Sequence, residues 1–268
     1  MQTPVIAIMR PEMHLDSSIE LARSYGFDVV AAPMIELADH RDSNFDCFLQ
    51  RMLASESMPE PPSKSDIVIF TSANGIRFTL QKIKDSAREG FIQALNRACV
   101  VAIGSKTKKA LEKHGIRVSL MPESYSSEGI ADMLRGVDCR TIEVVRSAHG
   151  DPALIGSLSG RAGVAVHETV VYKLVRPDDG RQRMMIERAL AHEIDIFAFT
   201  SAMTVHNFIA TARSMDAEQG IVDALNGSVI AAIGPPTARA LQGYGVDTDL
   251  VPERFTFRDM LGTLTGKT

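Results

Sequence analysis

The sequence has no tryptophan, only four tyrosines and three cysteines, and no apolar stretch long enough to suggest a membrane span. Each absence removes a class of protein. Cys47, Cys99 and Cys139 lie far apart with no CxxC spacing, which argues against a disulfide framework or a cysteine metal site and fits a reducing compartment. No charged start precedes a long apolar run, and Arg10-Pro11 interrupts the first one, so neither a signal peptide nor a membrane partner is expected. A net charge of −4 leaves no basic footprint, and nucleic acid is not an expected partner. The seven histidines are scattered without HxxxH or HExxH, so no metal is expected. No GxGxxG follows the first strand, and the tail from Gly262 to Thr268 imitates a phosphate loop but is one residue short. What remains is an ordinary soluble composition, with 268 residues, enough for two small cores. The expectation is a cytoplasmic globular protein.

What is present is repetition. Phe70-Thr71-Ser72-Ala73-Asn74-Gly75-Ile76 is echoed by Phe199-Thr200-Ser201-Ala202-Met203-Thr204-Val205, and each follows an apolar run. Ala102-Ile103-Gly104-Ser105-Lys106-Thr107 returns as Ala232-Ile233-Gly234-Pro235-Pro236-Thr237. His114-Gly115-Ile116 returns as Tyr244-Gly245-Val246, and Pro122-Glu123 as Pro252-Glu253. The offset is 129 residues at the first pair and 130 at the others, so the order is kept with a single indel. The chain therefore carries a duplicated strand-and-helix half, and function is expected where the two copies meet.

Periodicity and punctuation predict alternating strands and helices throughout, hence mostly parallel sheets with helices on both faces. Pro4–Met9 reads as a first strand, residues 16–25 as a helix capped by Asp16 or Ser17 with Gly26 after it, and Phe27–Ala32 as a second strand. Pro33–Leu37 continues extended, because a residue before proline avoids the helical region. Pro59–Ser65 reads as a Pro- and Ser-rich loop, within a longer loop at about 54–66. Further strands are expected at 99–103, 118–121, 141–145, 163–167 and 195–199, with Glu168–Val175 extended. A strand-helix-strand unit precedes the first copy, and a similar one, 141–167, lies between the copies. Pairing these units with the copies allows either a sequential split near 136–140 or an interleaved arrangement.

In open parallel sheets ligands bind at the carboxyl ends of the strands. Those ends carry Arg10, Thr71, Ser72, Asn74, Ser105, Arg146, Thr200, Ser201, Gly234 and Thr237. Small polar residues at helix starts leave backbone N–H groups pointing outward, which suits a ligand with several carboxylates or phosphates. Thr and Ser at such places are often caps alone; their repetition as a pair favours function. His149 in the loop after 145 reads as a solvated histidine, and Asp178-Asp179 as a charged turn. Tyr172 lies in the extended stretch, where a hydroxyl could face a cleft.

These residues resemble the uroporphyrinogen-III synthase family. The resemblance rests on the two Phe-Thr-Ser motifs, on Ala232 to Leu241, on Tyr172 in its Val-Val-Tyr setting and on Pro252 to Thr256. It implies an α/β protein of two interleaved, flavodoxin-like, parallel-sheet domains, residues 1–36 with 174–268 and residues 39–168. The linkers, about 33–38 and 169–175, would form a two-stranded β connection, and the active-site cleft would lie between the domains. It also implies a cofactor-free, monomeric lyase whose partner is a small molecule, the linear tetrapyrrole hydroxymethylbilane. That substrate would lose its hydroxyl and close to uroporphyrinogen III with ring D inverted, through an azafulvene cation and a spiro-pyrrolenine. Tyr172 matches the family's favoured acid, and Thr71, Ser72, Thr200, Ser201 and Thr237 match its cleft threonines and serines. Pro236 departs from relatives that carry threonine there, and Ala148-His149-Gly150-Asp151 replaces a more basic loop. A non-catalytic anion- or tetrapyrrole-binding module is the alternative from another class, and a nucleotide-dependent enzyme a third.

Overall fold

The computed structural model describes residues 3–53 and 66–266. In chain order the elements begin with β1 (Val5–Ile8), α1 (Glu12–Ser24), β2 (Asp28–Ala31), β3 (Glu36–Asp39) and α2 (Ser43–Leu53). There follow β4 (Asp66–Phe70), α3 (Ala73–Lys82), α4 (Asp85–Arg97), β5 (Cys99–Ala102), α5 (Ser105–Glu112) and α6 (Ser127–Leu134). Next come β6 (Thr141–Ser147), α7 (Pro152–Ser159), β7 (Ala165–Val175), α8 (Arg181–Leu190) and β8 (Ile196–Phe199). The last are α9 (Ala202–Arg213), α10 (Glu218–Asn226), β9 (Val229–Ala232), α11 (Pro235–Gln242) and α12 (Phe257–Thr265). The chain divides into two compact units, Met1–Leu37 with Val175–Thr268, and Ala38–Leu174.

The first unit has one sheet in the order β2-β1-β8-β9, with every adjacent pair parallel. The second has the order β3-β7-β6-β4-β5, parallel from β7 to β5. β4 and β5 are the copies of β8 and β9, so β6 and β7 take the places of β1 and β2. The same layout is thus reached with the strand-helix-strand unit first in one case and last in the other, a circular permutation within one chain. Helix packing follows suit: α9 lies on α11 as α3 lies on α5, and α8 on α10 as α2 on α4.

Parallel strands covered on both faces must be apolar along their whole length, not at alternate positions. β8 is Ile-Phe-Ala-Phe and entirely buried. Ile6, Ile8, Ile196 and Ala198 face Leu15 and Ala22 of α1 and Met260 and Leu261 of α12. Ala7, Phe197 and Phe199 face the other way, onto Met185, Phe208, Ile221 and Leu241 of α8 to α11. In the second unit Ile67, Ile69, Ile142 and Val144 pack on α6 and α7.

Three expectations are corrected. α1 begins at Glu12, not near Asp16: Pro11, already at φ −53°, precedes the first turn, and Glu12 supplies its negative charge. The Ser17 and Ser18 hydroxyls turn back to the His14 carbonyl instead of capping. Gly26, at φ +91°, does end the helix, with its N–H on the Arg23 carbonyl and that of Phe27 on Ala22. Residues 118–121 form no strand but one parallel bridge, Val101 to Leu120, repeated as Ala231 to Leu250. Pro122 and Pro252 follow within two residues and supply no N–H to extend the pairing. Finally, 163–167 and the extended stretch after it are one strand, β7. The loop expected over 54–66 lies outside the described residues as far as 65.

One buried charge interrupts this apolar plan. Glu143, 3% exposed, stands mid-strand in β6, where the other unit has Ala7. Arg51 of α2 meets both its carboxylate oxygens with Nε and Nη2, pinning α2 to the sheet. Removing one partner of such a pair strands the other. Arg51→Met is expected to cost about 3 kcal/mol in urea unfolding, and Arg51→Met with Glu143→Ala to recover most of it. Equal losses in the single and double variants would show that the pair is not what holds α2.

Candidate functional site

Each unit gathers its polar residues at the carboxyl edge of its own sheet. In the second unit Thr71 and Ser72 end β4. The Thr71 N–H and hydroxyl both donate to the Val145 carbonyl of β6, at 3.2 and 3.4 Å, so Thr71 stitches two strands together. Ser72 caps α3, its Oγ accepting from the Gly75 N–H at 3.0 Å. The same Oγ lies 3.0 Å from the Tyr172 hydroxyl. Asn74 is half-buried on the first turn of α3, and Ser105 is exposed at the first position of α5, after the Gly104 cap.

Tyr172 owes its place to an irregularity in β7. Arg146 of β6 pairs with Val170, but Ser147 pairs with Tyr172, so Val171 has no partner on β6. Alternation would put Tyr172 on the side of Val170; instead Val171 and Tyr172 are both buried, at 0% and 6% exposure. An extra residue of this kind bends a strand and re-aims the side chain after it. The phenol ring then stacks on Phe78 of α3, with centroids 5.2 Å apart and planes at 14°.

In the first unit Ser201 caps α9, accepting from the Thr204 N–H at 3.1 Å and sharing a hydrogen bond with the Thr204 hydroxyl at 2.8 Å. Thr200 is half-buried beside it. Gly234 is the cap residue before α11, and its carbonyl accepts the N–H groups of Thr237 and Ala238. Thr237 is 2% exposed. Pro235 and Pro236 fill the first two positions of α11, where α5 has Ser105 and Lys106, so this helix start lacks two donors that its copy keeps.

The two arginines stand at equivalent places. Ile6 pairs with Ile196 and Ile142 with Ile67, so Arg10 and Arg146 lie four residues beyond matching positions. Their surroundings differ. Arg146 is 3% exposed; its Nη1 donates to the Asp151 carbonyl at 2.9 Å and its Nε lies 3.3 Å from Glu168. Gly150 passes so close to this guanidinium that a Cβ would sit 2.4 Å from Nε. Arg146 therefore holds its own loop together. Arg10 meets no carboxylate among the described residues: its Nη1 donates to the Ser18 hydroxyl at 2.9 Å and it lies 5.1 Å over the Phe257 ring. Where β7 has Glu168, β2 has Ala31. Burial lowers the Arg10 pKa from the ordinary arginine value, as expected of a cation that has lost water without gaining an anion.

Of the expected residues, the structure brings Ser72 and Tyr172 into contact and commits Arg146 to Glu168 and the loop. His149 is exposed, its Nδ1 3.4 Å from the Leu174 N–H. Phe78 and Lys82 stand at positions of an ordinary amphipathic helix that carry no signal in the sequence, and the Val171 irregularity needs the partner strand to be seen. Among the described residues no helix is long and apolar enough to cross a membrane.

The family model for uroporphyrinogen-III synthase HemD matches residues 16–262. A Methanothermobacter thermautotrophicus protein provisionally named uroporphyrinogen-III synthase is 29% identical, over 97% of this chain and 96% of its own. The uroporphyrinogen-III synthase of Chlorobaculum parvum is 25% identical, over 93% of each. A crystal structure of a mutant uroporphyrinogen III synthase from Thermus thermophilus shares the fold, with a TM-score of 0.65 at 20% identity over 98% of each chain.

The contrast between the arginines gives a direct test. Arg146→Met should lower Tm by several degrees, because Glu168 and the 147–151 loop lose charged hydrogen bonds together worth about 2 kcal/mol. Arg10→Met should leave Tm within about 2 °C, since the cation it removes is desolvated without a carboxylate. Equal drops by scanning calorimetry would contradict the difference.

Proposed function

The chain belongs to the uroporphyrinogen-III synthase family, and from that premise we propose that it closes hydroxymethylbilane to uroporphyrinogen III, inverting ring D and releasing water. The reading makes it a cofactor-independent, cytoplasmic, monomeric lyase of tetrapyrrole biosynthesis, acting on a small molecule and on neither nucleic acid nor membrane. One observation carries it furthest: a buried tyrosine at a strand end, with its hydroxyl 3.0 Å from the hydroxyl of a helix-capping serine.

A phenol so placed suits an acid for the departing hydroxyl. Ser72 Oγ already accepts from the Gly75 N–H, so its own proton is free to point at the Tyr172 oxygen. The Tyr172 proton is then directed elsewhere, toward the leaving hydroxyl, and Ser72 remains to stabilise the oxygen once that proton has gone. Water leaves, the azafulvene carbon becomes electrophilic, and the substituted α carbon of ring D attacks it to give the spiro-pyrrolenine. The bond from that carbon to the ring C methylene then breaks, and the methylene recloses on the other α carbon of ring D, which loses its proton as the pyrrole is restored. Because the spontaneous closure gives the uninverted isomer, the protein's main task is to hold one geometry. Carboxylates on the rings would be held by the Arg10 guanidinium and by donors at Asn74, Ser105, Thr200, Ser201 and Gly234, while Thr71 and Thr237, their donors committed or buried, shape the strand and helix ends.

The test is the product formed from hydroxymethylbilane, oxidised and resolved into isomers I and III. Isomer III in excess is expected with this protein, and Tyr172→Phe should lower turnover at least about tenfold with folding kept. Isomer I alone from folded protein would overturn the reaction. Unchanged turnover in Tyr172→Phe would remove the tyrosine from it.

A further inference from the structure

The side chain of Lys82, in the last turn of α3, is only 5% exposed. Its ammonium has three donors, and three acceptors surround it: Asp39 Oδ1 at 2.5 Å, the Val171 carbonyl at 2.6 Å and the Phe78 carbonyl at 3.1 Å. It also lies 5.4 Å over each of the Phe45 and Phe78 rings. Burial lowers its pKa from the usual lysine value, while the hydrogen bond and charge of Asp39 pull it back up and Arg41 pushes it down. A buried ammonium is expensive unless it is fully bonded. This one is spent on the two elements that hold Tyr172.

The Val171 carbonyl belongs to the residue that has no partner on β6. It accepts from the Lys82 ammonium and, at 3.3 Å, from the His40 N–H. α3 is therefore fastened to β7 at both ends, by Ser72 on the Tyr172 hydroxyl and by Lys82 on the peptide just before Tyr172, with the Phe78–Tyr172 stack between them.

We propose that Lys82 is a positioning residue for Tyr172: it stabilises the displaced Val171 peptide that aims the phenol at Ser72. The inference rests on the reading of Tyr172 as the acid in the proposed reaction, and it specifies what keeps that acid in register. Lys82 is too far committed to its three acceptors to touch substrate itself. Its removal should act on turnover more than on substrate binding.

The test labels the protein with 3-fluorotyrosine and identifies the Tyr172 resonance by its loss in Tyr172→Phe. In Lys82→Met the Tyr172 resonance should shift or broaden while the other three stay. In the assay with hydroxymethylbilane kcat should fall about tenfold with KM changed less than about twofold. Lys82→Arg, which keeps a cation with several donors, should restore most of both. Asp39, whose side chain is 58% exposed, is left solvated by Lys82→Met; should that variant still fail to fold, Asp39→Asn loosens the ammonium from its outer side and should move both readings the same way by less. An unmoved Tyr172 resonance in a folded Lys82 or Asp39 variant would overturn the inference, whatever the enzyme does. Isomer I alone from the wild-type protein would instead sink the proposed reaction and leave the resonance to decide the structural part.

Discussion

Parallel pairing constrains everything else in this protein. Because β1, β2, β8 and β9 run the same way, all their carboxyl ends fall on one edge, and α1, α9 and α11 follow β1, β8 and β9 from there. The same holds for β4 to β7 in the other unit. Strand interiors must be apolar on both faces, so polar side chains are driven to that edge. Thr71, Ser72, Thr200 and Ser201 are consequences of this geometry before they are functional groups. Glu143, the exception inside a strand, keeps its charge only by taking Arg51 from α2.

The two edges have diverged in what they offer. One unit keeps a guanidinium without a carboxylate, because Ala31 stands where the other has Glu168, and its α11 begins with two prolines. The other neutralises its equivalent arginine but starts α5 with Ser105 and Lys106, both able to donate from the backbone. The edges thus differ in whether the strand-end arginine is neutralised and in how many backbone donors the helix start offers.

Much of the α/β fold was legible because its signals are local. Gly26 after a helix and the two Phe-Thr-Ser turns are read from neighbouring residues alone, and the duplication supports the turns with a second copy. The errors arose where a distant or steric factor won. Pro11, with its φ already near the helical value, starts α1 four residues earlier than expected, and Pro122 reduced an expected strand to one bridge. At the candidate site, residue types at strand ends were legible and their commitments were not. Arg10 and Arg146 look alike in sequence and are told apart only by what stands on the neighbouring strand. The displacement of Val171 and the three acceptors of Lys82 depend on β3, α3, β6 and β7 coming together, which no window of sequence contains.

The permuted order of the two units has a consequence for synthesis. Val5 of β1 bonds the Asp195 side chain 190 residues later. At about 5–20 residues per second a ribosome takes about 10–40 s to deliver that partner. Meanwhile Ala38–Leu174 has been made in full and can collapse on its own core. β1, destined for the middle of a sheet, waits through all of this with one edge unpaired and both faces apolar. The unit begun first is thus the last to close, and a ribosome that stalls late deprives it of interior strands while its neighbour is already whole.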